Sequence, residues 1–375
     1  MGVLSCHYNN NYRTRHNYLL IVLFAIFLVS CGGGQDSSGG SDTESRSVGT
    51  TIPETISAFR SQDLMAFPEC DGSETLPDVF FSLGDAFNVD NAYLLLLVSW
   101  FVEQFEPEQV SQQFKQWGFI DIEVWNNWDV GTRAFVAEHQ DFVLVSYRGT
   151  STPTEVLSNA IFTTANVDLY QINGEQSKAH RGIWEEHERV RSSVQSIIDS
   201  FSDDNLKPVI FTGHSRGAAL TALQAAYHAT KGGMIQSVYT FAQPRLGNAA
   251  LGLALNELFG DRFYRMNYVR DVTPRVPPSA EMALPLYNEG LIPLWLSTVV
   301  ESLDYDYDPG ELYILDEAGY WDFIVQEDRS EEQFLFWQDL FNRFPNIVLS
   351  IPSLASYFPE NHIPPVYICS LVMRM

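Results

Sequence analysis

The sequence predicts an α/β fold with a mostly parallel central sheet and helices on both faces. Three observations predict it. Short β-rich runs alternate with helical stretches of 10–15 residues along the second half of the chain. Hydrophobic residues make up 45% and charged residues 18% of the 375 residues, enough apolar material for a large buried core. From Ile52 onward no internal repeat and no second linker interrupts the pattern, so residues 51–375 read as one domain.

The elements follow in order. Ala92 to Phe105 is apolar over a helical length. Ala134–Ala137 and Phe142–Tyr147 are β-rich runs separated by Glu138-His139-Gln140-Asp141, which reads as a hairpin turn. Ile183, Val190, Val194, Ile197 and Ile198 recur at helical spacing, placing a helix over Trp184 to Phe201. Val209–Thr212 reads as a short buried strand, and Ala218 to Ala229 as a helix of small residues. Val238–Ala242 is a strand, Ala249–Phe259 a helix and Phe263–Val269 a strand. Leu284 to Val300 is apolar and broken by Pro, and reads as buried packing rather than a lipid-facing insertion.

Residues 1–30 are different in kind. They contain Arg13 and Arg15, no Asp or Glu, and the apolar run Leu19–Val29, the length of a signal-peptide core and short for a membrane span. The long stretch before that run leaves room for a start downstream of Met1. Leu28-Val29-Ser30-Cys31 resembles a bacterial lipobox, in which the Cys is lipidated and becomes the new N-terminus. The alternatives are an ordinary signal peptide with an incidental Cys, or a short anchor. Residues 31–50 are rich in Gly, Ser and Asp and read as a flexible tether. The expected order is signal peptide, lipidated Cys31, tether and globular domain: an exported lipoprotein held at a membrane, in a bacterial outer membrane or at the cell surface.

Charge narrows the partners. Lys plus Arg total 22 against 47 for Asp plus Glu, a net charge of −25. Loss of residues 1–30 would take it to −27, so the acidity belongs to the exported part. This argues against a nucleic-acid partner and against a polybasic grip on anionic lipid. Four Cys without a Cys-x-x-Cys pair argue against a zinc site and a disulfide-dense scaffold. Cys70 and Cys369, the remaining thiols after Cys31, could bridge the two ends of the domain in an oxidising compartment; two free buried thiols are the alternative. Asp304, Asp306 and Asp308 alternate, but an EF-hand needs Gly and Glu where Pro309 and Leu315 stand, which leaves at most a looser calcium site.

The chemistry concentrates at Gly213-His214-Ser215-Arg216-Gly217, a G-x-S-x-G sequence lying between a strand and a helix. A nucleophile on so tight a turn requires small residues two positions before and after it. The turn presents Ser215 at a helix N-terminus, where main-chain N–H groups favour a developing oxyanion. A serine nucleophile needs a base, and this motif's partners follow in the order acid, then His. Of the eight histidines only His228 and His362 follow Ser215. His228 sits thirteen residues along the same helix, roughly 20 Å away at about 1.5 Å per residue, which leaves His362. Asp271 stands just past strand Phe263–Val269, on the sheet edge where strand carboxyl ends gather, and is the candidate acid. Its alternative role is pairing with Arg270 or Arg275; Asp261 lies at the wrong end of the strand.

With these residues in view, the chain resembles the class 3 lipases, the fungal-type triacylglycerol lipases. The resemblance is carried by 131–137, by Val145-Ser146-Tyr147-Arg148-Gly149-Thr150, by His180-Arg181-Gly182-Ile183-Trp184 and by Phe241-Ala242-Gln243-Pro244-Arg245-Leu246-Gly247-Asn248. It implies an α/β-hydrolase-type fold, a serine hydrolase of neutral carboxylic ester lipids, and Ser215, Asp271 and His362 as a triad. It implies Thr150 as an oxyanion-hole residue, with the Arg216 N–H as second donor, and a lid over Ser151 to about Ala165. A turn residue and a covering helix are the alternatives for the last two. No metal or cofactor is implied. The sequence departs from the family where Arg216-Gly217-Ala218 replaces the usual Leu-Gly-Gly, putting a large charge beside the nucleophile. A silent binding lipoprotein and a phospholipase A-type activity are the alternative functions.

Overall fold

In the computed structural model, residues 55–66, 70, 78–84, 86–127, 131–149, 163–168, 175–203, 206–306, 308–343 and 361–372 are described. Strand β1 (Thr55–Arg60) pairs antiparallel with β2 (Phe80–Ser82). Helix α1 (Val89–Gln104) follows, capped by the Asn88 side chain, which accepts the Asn91 N–H. After α2 (Pro107–Gln116), strands β3 (Asp121–Asn127), β4 (Thr132–Glu138) and β5 (Val143–Tyr147) form an antiparallel meander. A hairpin joins β4 and β5 as the sequence predicts, but through residues 139–142, since Glu138 still pairs with Val143. Strands β6 (Thr164–Asn166) and β7 (Lys178–His180) form a separate two-stranded ribbon.

From there strand and helix alternate: α3 (Arg181–Phe201), β8 (Val209–His214), α4 (Arg216–Thr230), β9 (Ile235–Phe241), α5 (Ala249–Phe259) and β10 (Phe263–Tyr268). Helices α6 (Ala283–Asn288) and α7 (Leu294–Ser302) lead to the hairpin β11 (Glu311–Leu315) and β12 (Trp321–Ile324), then to α8 (Arg329–Arg343) and α9 (Pro364–Val372). Among the described residues the main sheet has eight strands in the order β12-β11-β10-β9-β8-β5-β4-β3. The five from β5 to β11 are parallel, and antiparallel strands lie only at its two sides. The fold is a mostly parallel central sheet with helices.

The two faces of the sheet carry separate cores, because side chains alternate along a strand. On β8, Ile210 turns toward one face, with Leu94, Leu97, Phe101 and Tyr239, while Val209 and Phe211 turn toward the other, with Val194, Leu220 and Leu223. Helix α1 is apolar around its whole circumference, and Ala92 to Val102 are buried. A helix of that kind belongs inside a protein. It lies against β8 on one side and α9 on the other. Helix α4 is built of Ala and Leu, and its small side chains let it lie close under β8 and β9.

The boundaries moved where polar residues carry the backbone pairing. Strand β8 runs two residues past the apolar run, since Gly213 pairs with Tyr147 and Thr240, and His214 with Phe241. Helix α4 begins at Arg216, so the strand–helix turn is the single residue Ser215. The apolar stretch 284–300 is only partly packing. Leu286, Ile292 and Val300 are buried, the first two in a third cluster with Val272, Met282, Trp337 and Leu340, but Leu284, Leu294 and Trp295 stand exposed. Short Pro-broken helices bury one side and leave the other out.

Cys70 and Cys369 form a disulfide that ties the region after β1 to helix α9. Asp304 and Asp308 face cations of the protein: Asp304 pairs with Lys178 at 2.7 Å, and Asp308 with Arg265 at 3.3 Å and Arg245 at 3.2 Å. Among the described residues no group of three or more His, Cys, Asp or Glu is placed to hold a metal ion, and no helix is long and apolar enough to cross a membrane. The signal peptide, Cys31, the tether, Thr150 and the lid segment through Phe162 lie outside the described residues.

Candidate active site

Ser215 is the one residue between β8 and α4, and its backbone is strained: φ is +57° and ψ is −130°. A non-glycine residue in that region costs on the order of 1–3 kcal/mol and persists only where its surroundings hold it. Here they do. The Ser215 N–H donates to the Phe241 carbonyl, and its own carbonyl accepts from Ala218 and Ala219. The flanking glycines permit the crossing. A Cβ on Gly213 would meet the main chain of Gly217 at 2.7 Å; one on Gly217 would strike the Tyr147 carbonyl and the main chain of Arg148 and Gly149. Helix α4 therefore starts pressed against the end of β5, next to the turn that leads to Thr150.

Strands β8 and β10 run parallel with β9 between them, so Ser215 and Asp271 both follow strand carboxyl ends on the same sheet edge. His362 comes from the segment just before α9. The structure brings the three together. His362 Nε2 is 2.8 Å from Ser215 Oγ, and His362 Nδ1 is 2.8 Å from Asp271 Oδ2. Asp271 is fully buried, and Ser215 is 4% exposed. The carboxylate is held from both sides: Oδ1 accepts the Thr273 N–H at 2.8 Å, and Oδ2 accepts the Tyr367 O–H at 2.7 Å. Burial pushes the Asp271 carboxyl up, but the charge and hydrogen bond of His362, with the Tyr367 and Thr273 donors, outweigh it and hold the group below its ordinary value.

The arginines near Asp271 leave its carboxylate alone. Arg275 Nη1 donates to the Asp271 main-chain carbonyl at 2.5 Å while Nη2 pairs with Glu332, and Arg270 pairs with Glu317. His228 lies in the last turn of α4, at the other end of the helix from Ser215, and its Nδ1 is 2.9 Å from Gln195 Nε2. The Arg216 side chain has partners of its own. Its guanidinium pairs with Glu186 at 3.0 Å and donates to the Gly131 carbonyl at 3.2 Å, bridging α3 and the start of the β4 hairpin. Its N–H opens α4, among the main-chain donors that a helix leaves unpartnered at its N-terminus.

Three residues of this site were missed in the sequence. Tyr367 gives no signal beyond an aromatic in an apolar stretch. His214 Nδ1 lies 3.1 Å from Glu103 Oε1, and its Nε2 lies 2.7 Å from the His362 main-chain oxygen. His214 occupies a variable place in G-x-S-x-G, and Glu103 ends a helix far upstream, so no local pattern joins them.

Residues 144–281 match the family model Lipase (class 3). The chain is 28% identical over 175 residues to the secreted mono- and diacylglycerol lipase 1 of Fusarium solani, covering 46% of this chain and 49% of that protein. It is 27% identical over 136 residues to the secreted mono- and diacylglycerol lipase A of Penicillium cyclopium, covering 36% and 43%. The chain thus spans about half the length of the curated relatives it matches. The solved lipase of Rhizopus microsporus var. chinensis superposes over 72% of this chain and 91% of its own, with a TM-score of 0.47 and 16% identity.

Proposed function

We propose that this chain is a carboxylic ester hydrolase of the class 3 lipase type, acting on acylglycerols through Ser215, His362 and Asp271. The family match and the lipase relatives support ester hydrolysis. The observation that carries the reading is the 2.8 Å approach of His362 Nε2 to a hydroxyl presented on a strained strand–helix turn, with Asp271 behind the imidazole. In the reaction His362 takes the Ser215 proton as Oγ attacks the ester carbonyl. The oxyanion forms at the N-terminus of α4, where the Arg216 N–H is one donor; the family resemblance assigns the second to Thr150. The alcohol leaves with the proton from His362, and water activated by His362 then releases the acid. Asp271 stabilises the imidazolium at both steps and stays ionised.

The substrate we assign is a neutral ester lipid. A net charge of −27 outside residues 1–30 repels an anionic head group and suits an uncharged acylglycerol. Hydrolysis of p-nitrophenyl esters of graded chain length, followed by tri-, di- and monoacylglycerol emulsions, tests this reading. Turnover is expected on uncharged esters. Release of fatty acid from phospholipid vesicles alone would replace the substrate class, and no turnover of any ester would remove the enzyme.

We further propose that the protein is exported and held at a membrane by lipid on Cys31. The support is the sequence alone: the apolar run, the small residues before Cys31 and the tether after it. With so acidic a chain, the lipid and not surface charge must do the holding. Cys31→Ala is expected to move the protein from the membrane to the soluble fraction; unchanged membrane retention would sink the idea.

A further inference from the structure

His214 directly precedes the nucleophile, and both of its ring nitrogens face oxygen acceptors. Nε2 meets the His362 main-chain carbonyl at 2.7 Å, and Nδ1 meets Glu103 Oε1 at 3.1 Å. A carbonyl oxygen only accepts, so Nε2 must carry a hydrogen. A neutral imidazole has one N–H, so its Nδ1 would then turn a lone pair on a carboxylate. Satisfying both contacts takes a second proton; on the ring, beside the Glu103 carboxylate, it makes His214 an imidazolium. The side chains of His214 and Glu103 are 3% and 9% exposed, so little of either contact is open to solvent.

The surroundings bind this pair to the reaction geometry. Glu103 stands in the last turn of α1, where the helix dipole favours a cation nearby. The same Glu103 carboxylate sits against Gly149, the residue before Thr150, in the space a Cβ there would need. The His214 ring lies 4.8 Å from the His362 ring and 6.0 Å from Tyr367. The groups facing it are therefore Glu103 from α1, Asp271 beyond β10, Tyr367 from α9 and His362 itself.

We propose that His214 and Glu103 form a buried imidazolium–carboxylate pair that positions His362, by donating to its main-chain oxygen, for proton transfer with Ser215. They are positioning residues and touch no reacting atom, and the proposal rests on the hydrolase reading above. Loss of the His214 proton leaves a lone pair against either the carbonyl or the carboxylate. One of the two contacts that hold the ring, and through it the segment carrying His362, then turns repulsive.

Three other histidines behave differently. Burial drives His180 and His228 down to about 4 and His187 down to about 3. Burial pushes His214 the same way, but the Glu103 charge and hydrogen bond, Asp271 and the His362 carbonyl reverse it and leave the group above its ordinary 6.5. A raised native value means that the charged pair's contribution is complete below pH 6.5 and is lost as pH rises through the native value. The effect therefore belongs to the alkaline side of the activity profile.

The test is the pH dependence of kcat and KM for a short-chain p-nitrophenyl ester, on the full chain and on Glu103→Gln. The variant keeps an oxygen for the Nδ1 hydrogen and removes the charge. The alkaline midpoint in kcat is expected to fall by about one pH unit or more, equivalent to roughly tenfold weaker proton binding by His214, while KM changes by less than about twofold. A purely structural role leaves that midpoint in place, because the hydrogen bond survives; an unchanged midpoint overturns the proposal. The ¹⁵N shifts of His214, titrated in the wild-type chain, decide the matter should the variant fail to fold: two protonated nitrogens at pH 6 support the pair, and a neutral ring at that pH refutes it. The hydrolase reading fails separately, if the wild-type chain turns over no ester and Ser215 takes no fluorophosphonate.

Discussion

Ser215→Ala lowers kcat on a p-nitrophenyl ester by about 10⁶-fold and abolishes labelling by a fluorophosphonate probe. The size follows from what is lost. Alanine keeps the Cβ and the strained φ of +57°, so the turn and helix α4 remain as they are. What disappears is the oxygen 2.8 Å from His362 Nε2, and with it the acyl-enzyme route. The helix N-terminus and bound substrate still favour an oxyanion, which accounts for a residual rate of about 10³–10⁴ over water. Circular dichroism of the variant matches wild type. Equal labelling of the two proteins would overturn the assignment of the nucleophile.

Asp271→Asn lowers kcat by about 10⁴-fold with a small change in KM. The substitution preserves size in a fully buried position. It removes the charge that balances the imidazolium. It also permits an amide N–H to face His362 Nδ1, which would reverse the tautomer and leave Nε2 unable to accept the Ser215 proton. Stability changes as well, with a definite sign. Because Asp271 is held below its ordinary 3.8, its ionised form contributes stability that is complete above pH 3.8 and lost as pH falls through the lower native value. Thermal unfolding followed from about pH 5 to pH 2 is expected to show a steeper acid decline for wild type than for Asp271→Asn. Parallel declines, or a kcat within tenfold of wild type, would remove Asp271 from the role.

The strands and helices around the site were readable because burial imposes a period. The apolar run Val209–Thr212, the small-residue helix and the helix Ala249–Phe259 each show a pattern that only one element satisfies, and each element formed there. The patterns fail where polar residues continue the structure: Gly213 and His214 extend β8 through hydrogen bonds of the backbone, to which hydropathy is blind. They fail again at 284–300, where the side chains are apolar but Leu284, Tyr287, Leu294 and Trp295 stand exposed. The alternating Asp304, Asp306 and Asp308 resemble metal ligands in the sequence. What meets Asp308 is decided by Arg245 and Arg265, which lie some sixty and forty positions earlier.

Ser215, Asp271 and His362 were legible as candidates through a motif, a chain order and the placement of strand ends, which are properties of one dimension. Their distances were not, nor was the support around them. Tyr367 reaches Asp271 because α9 packs on α1 and is tied by Cys369 to Cys70. Arg216 pairs with Glu186 because α3 places that carboxylate within 3.0 Å. Glu103 and His214 meet across 111 positions of sequence, where the end of α1 passes the end of β8. The sequence alone determined which side chains can do chemistry and which elements carry them, because periodicity and turn geometry are local. Only the tertiary structure decided which charges meet, because that depends on the layering of whole helices on the sheet, and a few ångströms of approach in a buried site set the protonation of every group there.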